Sequence, residues 1–209
     1  MRKIHKKLVA AMVGFFCLTT IGTSMASYTN RISITNPFTT SGPSSAVMLE
    51  NFNPDSTFLP GESVEKQPYF KNTGEADLLL RVKVTAGWEN DEDSIFPLGD
   101  PFSDTDKVTK LWTDSWKEEW VQIGDYYYYN KILKKSGEAG DTTPIILEKL
   151  QLSAEVSNDK HDTDYSDRVY ELFFDAEAIP ADNVSAEQWK NDIGADADAD
   201  KLSWNNFLK

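Results

Sequence analysis

The chain has 209 residues, with 34 acidic against 21 basic side chains and a formal net charge of -13. So acidic a surface repels nucleic acid and anionic lipid, which excludes most nucleic-acid-binding and lipid-headgroup-binding proteins. One cysteine and two histidines leave few ligands for zinc and few side chains for Ser-His or Cys-His catalysis.

A secretory signal is predicted over residues 1–26. Basic residues precede an apolar run, Leu8 to Ile21, of about 14 residues, and small residues follow at the cleavage point. A membrane-spanning helix needs about 20 apolar residues. We therefore expect a signal peptidase to cut between Ala26 and Ser27, with secretion and no stable membrane insertion afterwards. An uncleaved anchor is the alternative.

Cleavage removes four basic residues, Cys17 and His5, so the mature chain has a formal charge near -17, no cysteine and a single imidazole, His161. About 183 residues fit one domain, which at this size buries about 70% of the surface of the unfolded chain. One domain without disulfides is expected.

Strand patterns dominate from Ser27 to Pro180. Apolar residues alternate with polar ones across 76–86, which is typical of a strand with one buried face. The predicted strands, beyond the hairpin below, are 31–35, 46–52, 63–71, 76–86, 144–156 and 170–178.

A tight hairpin is predicted around Gly124-Asp125. The pair separates Trp120–Ile123 from four consecutive tyrosines, Tyr126–Tyr129. Gly-Asp between aromatic and β-branched residues favours a two-residue turn, and cross-strand aromatic pairs stabilise it.

Residues 89–119 interrupt the strand pattern and are predicted to be an acidic insertion. Trp112, Trp116 and Trp120 are spaced four apart within and just after it. That spacing predicts the apolar stripe of a short helix packed on the sheets; a ligand-stacking platform is the alternative.

The C-terminal part, 183–209, is predicted to be a short helix and an acidic tail. Ser185 is the expected N-cap of a helix over 186–190, and the tail past Gly194 is expected to be solvated and partly mobile. With 27–182 as the main domain, these elements predict an all-β protein: an antiparallel, jelly-roll-like β-sandwich with a short helical or loop insertion and a short C-terminal helix.

Carboxylates suggest weak calcium candidates. Asp196, Asp198 and Asp200 have the spacing of a calcium loop, but Lys201 stands where a glycine belongs and Phe207 where a glutamate should close the shell. A second acidic cluster comprises Asp91, Glu92, Asp93, Asp100, Asp104 and Asp106. Charged surface segments are the better interpretation of both, so no metal or other cofactor is expected, with calcium the only candidate.

Catalytic motifs are missing from the sequence. It contains no His-Glu-x-x-His pair, no Gly-x-Ser-x-Gly elbow and no Gly-rich phosphate loop. Paired carboxylates could act on glycosidic bonds, but among 34 acidic residues such pairs arise by chance. We expect a protein that is not an enzyme.

Several segments, in this order along the chain, are similar to the TasA/camelysin-like group, Gram-positive proteins exported through the alternate signal peptidase SipW. They are Ile34–Phe38, Leu49–Phe52, Pro60–Lys66, Lys71–Gly74, Leu80–Val82, Trp88, Gly124–Leu133 and Ala176–Trp189. The resemblance implies a jelly-roll-like sandwich, SipW-dependent export, and a place in the extracellular matrix or at the cell surface.

The resemblance also implies a mode of assembly. Better-known relatives form biofilm fibres in which an N-terminal segment of one subunit completes the sheet of the next. The matching segment begins at Ser27 and includes Tyr28, Arg31, Ile32 and Ile34. Edge-on strand addition suits its polar and β-branched content. The expected partners are then other copies of the chain or related matrix subunits, and pairing within one subunit is the alternative.

Two further functions stay open. A carbohydrate- or host-surface-binding module would use the six tryptophans and the tyrosine run. A secreted hydrolase is disfavoured by the missing motifs, and so is the metalloprotease activity described for some relatives. The end, Asn205–Lys209, carries no Leu-Pro-x-Thr-Gly signal, so covalent wall attachment is not expected.

Overall fold

A computed structural model of the chain describes residues 31–33, 38–40, 46–52, 58–88, 101–156, 169–194 and 197–204. The strands are β1 Arg31–Ser33, β2 Phe38–Thr40, β3 Ala46–Phe52, β4 Ser63–Asn72, β5 Leu78–Trp88, β6 Val108–Trp112, β7 Trp120–Ile123, β8 Tyr126–Tyr129, β9 Leu147–Leu152 and β10 Val169–Pro180. The helices are α1 Asp114–Glu119, α2 Asn183–Ile193 and a 3₁₀ helix, Ala197–Lys201.

Two sheets form a sandwich, which confirms the predicted fold class. The first sheet has the order β1-β10-β5-β8-β7, with β2 also paired to β10, and the second has the order β3-β4-β9-β6. All pairings are antiparallel except those of β1 and β2 with β10. The main core lies between the sheets, where alternate residues such as Leu80, Val82 and Phe174 are fully buried.

The hairpin prediction is confirmed at its predicted place. Ile123 pairs with Tyr126, so Gly124 and Asp125 alone form the turn. Gly124 has a φ of 59°, a left-handed value that glycine adopts without the Cβ clash of other residues.

The acidic insertion contains a strand that the sequence prediction missed. Within its described part, β6 pairs with β9, and α1 follows after Thr113, whose side chain caps the helix at Trp116 N. The prediction of one helix carrying three tryptophans is therefore wrong. Only Trp116 lies in α1, because Trp112 ends β6 and Trp120 begins β7.

The C-terminal part forms a third layer on the outer face of the first sheet. A second core joins Leu79 and Tyr128 of the sheet to Trp189 of α2 and to Leu202 and Trp204 beyond it. The last three of these side chains are almost completely buried. A solvated tail is thus the wrong interpretation of residues 198–204, since their apolar members cover an apolar sheet face that would otherwise meet water.

The N-cap of α2 also differs from the prediction. Helix α2 starts at Asn183, and the Asp182 carboxylate accepts a hydrogen bond of 2.8 Å from the Ser185 N–H. Asp182 therefore caps the helix, and Ser185 lies inside its first turn. Within the described ranges, no helix combines the length and the apolar content needed to cross a bilayer.

Candidate functional site

The candidate assembly site is the edge of β10 that faces away from β5. On its other side, β10 pairs antiparallel with β5 from Tyr170–Trp88 to Pro180–Leu78. That long ladder holds β10 in the sheet, whichever segment pairs with its opposite edge. An uncovered edge of this length would present a row of unpaired backbone groups to any neighbouring chain.

The N-terminal segment covers this edge in two short parallel ladders. Arg31 pairs with Val169 in the first ladder, and Phe38 pairs with Ala176 in the second. Each residue of β1 and β2 pairs with the residue 138 positions later, so both ladders share one register. The two strands therefore lie in the same register along β10, and the predicted donor residues Arg31 and Ile32 belong to β1.

The remaining residues predicted for donation and cleavage lie outside the described ranges: Ala26, Ser27, Tyr28 and Ile34. Strand β2 was not among the predicted strands. Its Phe38-Thr39-Thr40 sequence is short and follows Pro37, which obscures a period-two pattern.

Small buried residues mark the second ladder. Ala176 and Ala178 of β10 are almost fully buried and stand in register with Phe38 and Thr40. On the neighbouring strand they oppose Val82 and Leu80, which belong to the main core. The second ladder therefore runs beside small residues of the main core.

A cluster of polar side chains around Arg81 lies on the outer face of the first sheet, beside β10. Arg81 of β5 lies opposite Glu177 of β10, with Nη2 and Oε2 2.6 Å apart, and its Nη1 is 3.1 Å from Asp192 Oδ2 of α2. Nη1 also donates to the Tyr128 hydroxyl at 3.0 Å. Although burial opposes the charge, the hydrogen bonds with Tyr128 and Glu177 raise the pKa of Arg81.

Aromatic rings enclose the same guanidinium. Its Cζ lies 4.2 Å from the centre of the Tyr126 ring and 4.8 Å from that of Trp189. Such contacts favour a cation, and Arg more than Lys because its planar group stacks. The cluster joins three elements, β5, β10 and α2, so β10 is linked to the C-terminal layer as well as to β5. Sequence reasoning missed it, because the partners of Arg81 are 96 and 111 residues away in the chain.

The tryptophans form a ladder of rings between the sheets. Ring centres are 5.2 Å apart for Trp112 and Trp116 and 5.0 Å apart for Trp116 and Trp120, and Phe102 stacks on Trp112 at 4.8 Å. Trp116 and Trp120 are buried in the main core, whereas Phe102 at the outer end is 38% exposed. The buried rings are unable to stack on a ligand, so the structure contradicts the platform interpretation for Trp116.

Two of the acidic residues singled out as calcium candidates have partners within the chain, Asp198 and Asp106. Asp198 is 2.5 Å from Lys201 Nζ, and Asp200 is exposed on the 3₁₀ helix. Asp106 accepts hydrogen bonds from Lys110 Nζ and, at 2.6 Å, from the Tyr170 hydroxyl. Burial and the neighbouring Asp106 raise the pKa of Tyr170 far above its usual range.

Other members of the two acidic sets, Asp91, Glu92, Asp93, Asp100 and Asp196, lie outside the described ranges, and so does His161. Across the part of the chain that is described, no group of three or more His, Cys, Asp or Glu side chains is arranged to hold a metal ion.

Comparison of the chain with known protein families and with curated proteins found no match. The resemblance to the TasA/camelysin-like group therefore stays a prediction that rests on the segments quoted above.

Proposed function

We propose that this protein is a secreted, non-enzymatic structural protein of the extracellular matrix or cell surface. Its copies associate by strand exchange: the N-terminal segment of one copy occupies the β10 edge of the next. The observation that carries the proposal is the single parallel register of β1 and β2 along β10.

Strand exchange requires a segment that can leave without unfolding its own domain. β1 and β2 are three residues each, and among the described residues of the first sheet both pair with β10 alone. The core strand β10 keeps its eleven paired positions with β5 when they depart. The segment can therefore leave without breaking the pairing of β10 with β5.

A donated segment makes the same backbone hydrogen bonds with β10 of another copy that it makes with β10 of its own subunit. A copy exchanged between subunits therefore recovers most of the lost free energy, as in domain swapping. Between β2 and β3 the sequence is Ser41-Gly-Pro-Ser-Ser45, whose composition is typical of a connection between elements. Because exchange passes a strand from head to tail, it builds open filaments and not closed rings unless the rotation closes.

Export supplies a natural control of assembly in this proposal. A signal that continues into Ser27 tethers the donor segment to the membrane until the peptidase acts. Cleavage after Ala26 would release the segment outside the cell, where a second copy is within reach. Cells then avoid polymerisation before secretion.

An engineered disulfide tests exchange directly. Arg31→Cys with Val169→Cys places two thiols at paired positions, and neighbouring strands bring Cα atoms to within the 4.4–6.8 Å that a disulfide requires. The chain that starts at Ser27 has no other cysteine. After oxidation, exchange gives ladders of linked chains on a non-reducing gel, whereas pairing within a subunit gives linked monomers only.

Controls separate exchange from random oxidation. Each single-cysteine variant should give at most dimers under the same conditions. Deletion of residues 27–40 should abolish filaments seen by electron microscopy while the far-ultraviolet spectrum of the sandwich persists. Filaments that persist in the deletion variant, or linked monomers alone from the double variant, would overturn the proposal.

A further inference from the structure

Strand β3 forms one edge of the second sheet. Among the described residues, β3 pairs with β4 alone, and its seven residues stay in register from Ala46–Asn72 to Phe52–Lys66. Natural edge strands are usually protected by proline, by outward lysines or by a bulge. The sequence Ala-Val-Met-Leu-Glu-Asn-Phe contains neither residue, and its pairing has no register shift.

Two of the three outward residues of β3 are apolar. Val47 and Leu49 are each 38% exposed, which puts them among the few large apolar side chains at the described surface. Leu49 lies in register with Tyr69, and Val47 lies in register with Lys71. The two exposed residues and the aromatic ring beside them form a small patch at the sheet edge.

This patch has no carboxylate, although the chain has a net charge of -13. Along the outward register the remaining pair is Asn51 with Gln67, both uncharged. The one acidic residue of β3, Glu50, belongs to the inward set, with Oε1 2.9 Å from the buried Nζ of Lys66. No carboxylate of this patch therefore repels the second copy where β3 meets β3.

We infer that two copies of the chain pair antiparallel through their β3 edges around a two-fold axis. The favoured register places Val47 opposite Leu49 of the second copy, with Met48 on the axis. This register keeps outward residues on the outward face of both copies, since paired positions differ by an even number. Glu50 then faces the second copy's Ala46, so the carboxylates are not opposite each other.

Pairing in this way joins two four-stranded sheets into one continuous sheet of eight strands. It satisfies the backbone groups of both edges and covers both apolar pairs. Because the contact is the same patch on both copies, it closes as a dimer and stops. The contact is separate from the β10 edge, so the dimer forms whether or not N-terminal strands are exchanged.

Matched lysine substitutions test the inference in sedimentation velocity of the chain that starts at Ser27, freshly purified and at concentrations at which electron microscopy shows no filaments, so that strand exchange does not contribute to the dimers. Leu49→Lys places a charge in the edge patch, whereas Val184→Lys places the same charge on α2, where Val184 is 84% exposed and far from β3 in the sequence. We expect the parent chain and Val184→Lys to dimerise with similar dissociation constants. Leu49→Lys should raise that constant by roughly tenfold or more.

A cross-link checks the register. Val47→Cys with Leu49→Cys should give covalent dimers on oxidation at protein concentrations where the parent chain dimerises. Thermal unfolding verifies that the variants are folded. Equal dimerisation of the two lysine variants, or a monomeric parent chain at all concentrations, would overturn the inference; so would a folded double-cysteine variant that gives no covalent dimer.

Discussion

Arg81 and Glu177 face each other across β5 and β10, and Nη2 of the first lies 2.6 Å from Oε2 of the second. The same guanidinium reaches Asp192 of α2. One side chain therefore connects the proposed acceptor strand to the C-terminal layer. The side chain of Arg81 is only 10% exposed, whereas those of Glu177 and Asp192 are 32% and 50% exposed, so the two carboxylates can return to water more easily than the arginine.

Arg81→Leu should lower the free energy of unfolding by about 2–3 kcal/mol, because it removes charge-assisted hydrogen bonds and leaves a Tyr128 hydroxyl without its donor. Urea unfolding followed by tryptophan fluorescence measures the change, since Trp189 stacks on the guanidinium. Lys83→Leu is the matched control on the same strand face. Lys83 is exposed and paired with exposed Asp125, so its loss should have little effect. Equal losses in both variants would contradict the structural role of Arg81.

Trp116→Ala should lower stability by about 3–5 kcal/mol, because a buried ring is lost from the main core and a cavity remains. Phe102→Ala, at the exposed end of the same ring ladder, should cost clearly less. Urea unfolding compares the two. A folded, stable Trp116→Ala variant that loses binding to a glycan array would instead support the carbohydrate-binding alternative.

Glu50→Gln should cost about 3 kcal/mol near neutral pH, because the buried Lys66 loses the carboxylate beside it. Burial already lowers the pKa of Lys66 from its ordinary 10.5, and Glu50 opposes that shift, so the substitution lowers the pKa further. At a pH between the folded-state pKa values of Lys66 in the variant and in the parent chain, the folded variant binds fewer protons than the folded parent chain. Its loss of stability should therefore shrink as pH rises toward the ordinary lysine pKa of 10.5.

The double variant Glu50→Gln with Lys66→Met controls for the charge. It removes both ionised groups, so its free energy of unfolding should lie within about 1–2 kcal/mol of that of the parent chain. Because Lys66 is absent, that difference should not shrink with rising pH in the way expected for the single variant. Chemical unfolding at several pH values measures all three chains. A loss in Glu50→Gln that grows with pH would contradict the assignment.

Trp204→Ala should lower stability by about 3–5 kcal/mol, because the ring is fully buried in the outer core and its Nε1 donates to the Tyr129 carbonyl at 3.0 Å. Asp200→Ala, exposed on the 3₁₀ helix, is the control and should change little. Differential scanning calorimetry gives both values. Equal melting temperatures for the two variants would restore the interpretation of a solvated tail.

The sandwich was predictable because its strongest patterns are local. The period-two alternation of β5 and β10, the Gly124-Asp125 turn and the strand at 46–52 are each readable within a dozen residues. Where local signals were weak or mixed, the prediction failed. Val108–Trp112 is a five-residue strand within an acidic stretch, and the four-residue spacing of the tryptophans imitates a helix although three different elements carry them.

The sequence alone determined the fold class, most strand positions and the net charge, because backbone preference and hydrophobic periodicity depend on near neighbours. Only the tertiary structure decided that the N-terminal segment runs parallel to β10, that Arg81 meets Glu177 and Asp192, and that the tail buries Trp204. Those contacts join residues about 75 to 140 positions apart. Such pairs are selected by the packing of whole sheets, which no short window of sequence contains.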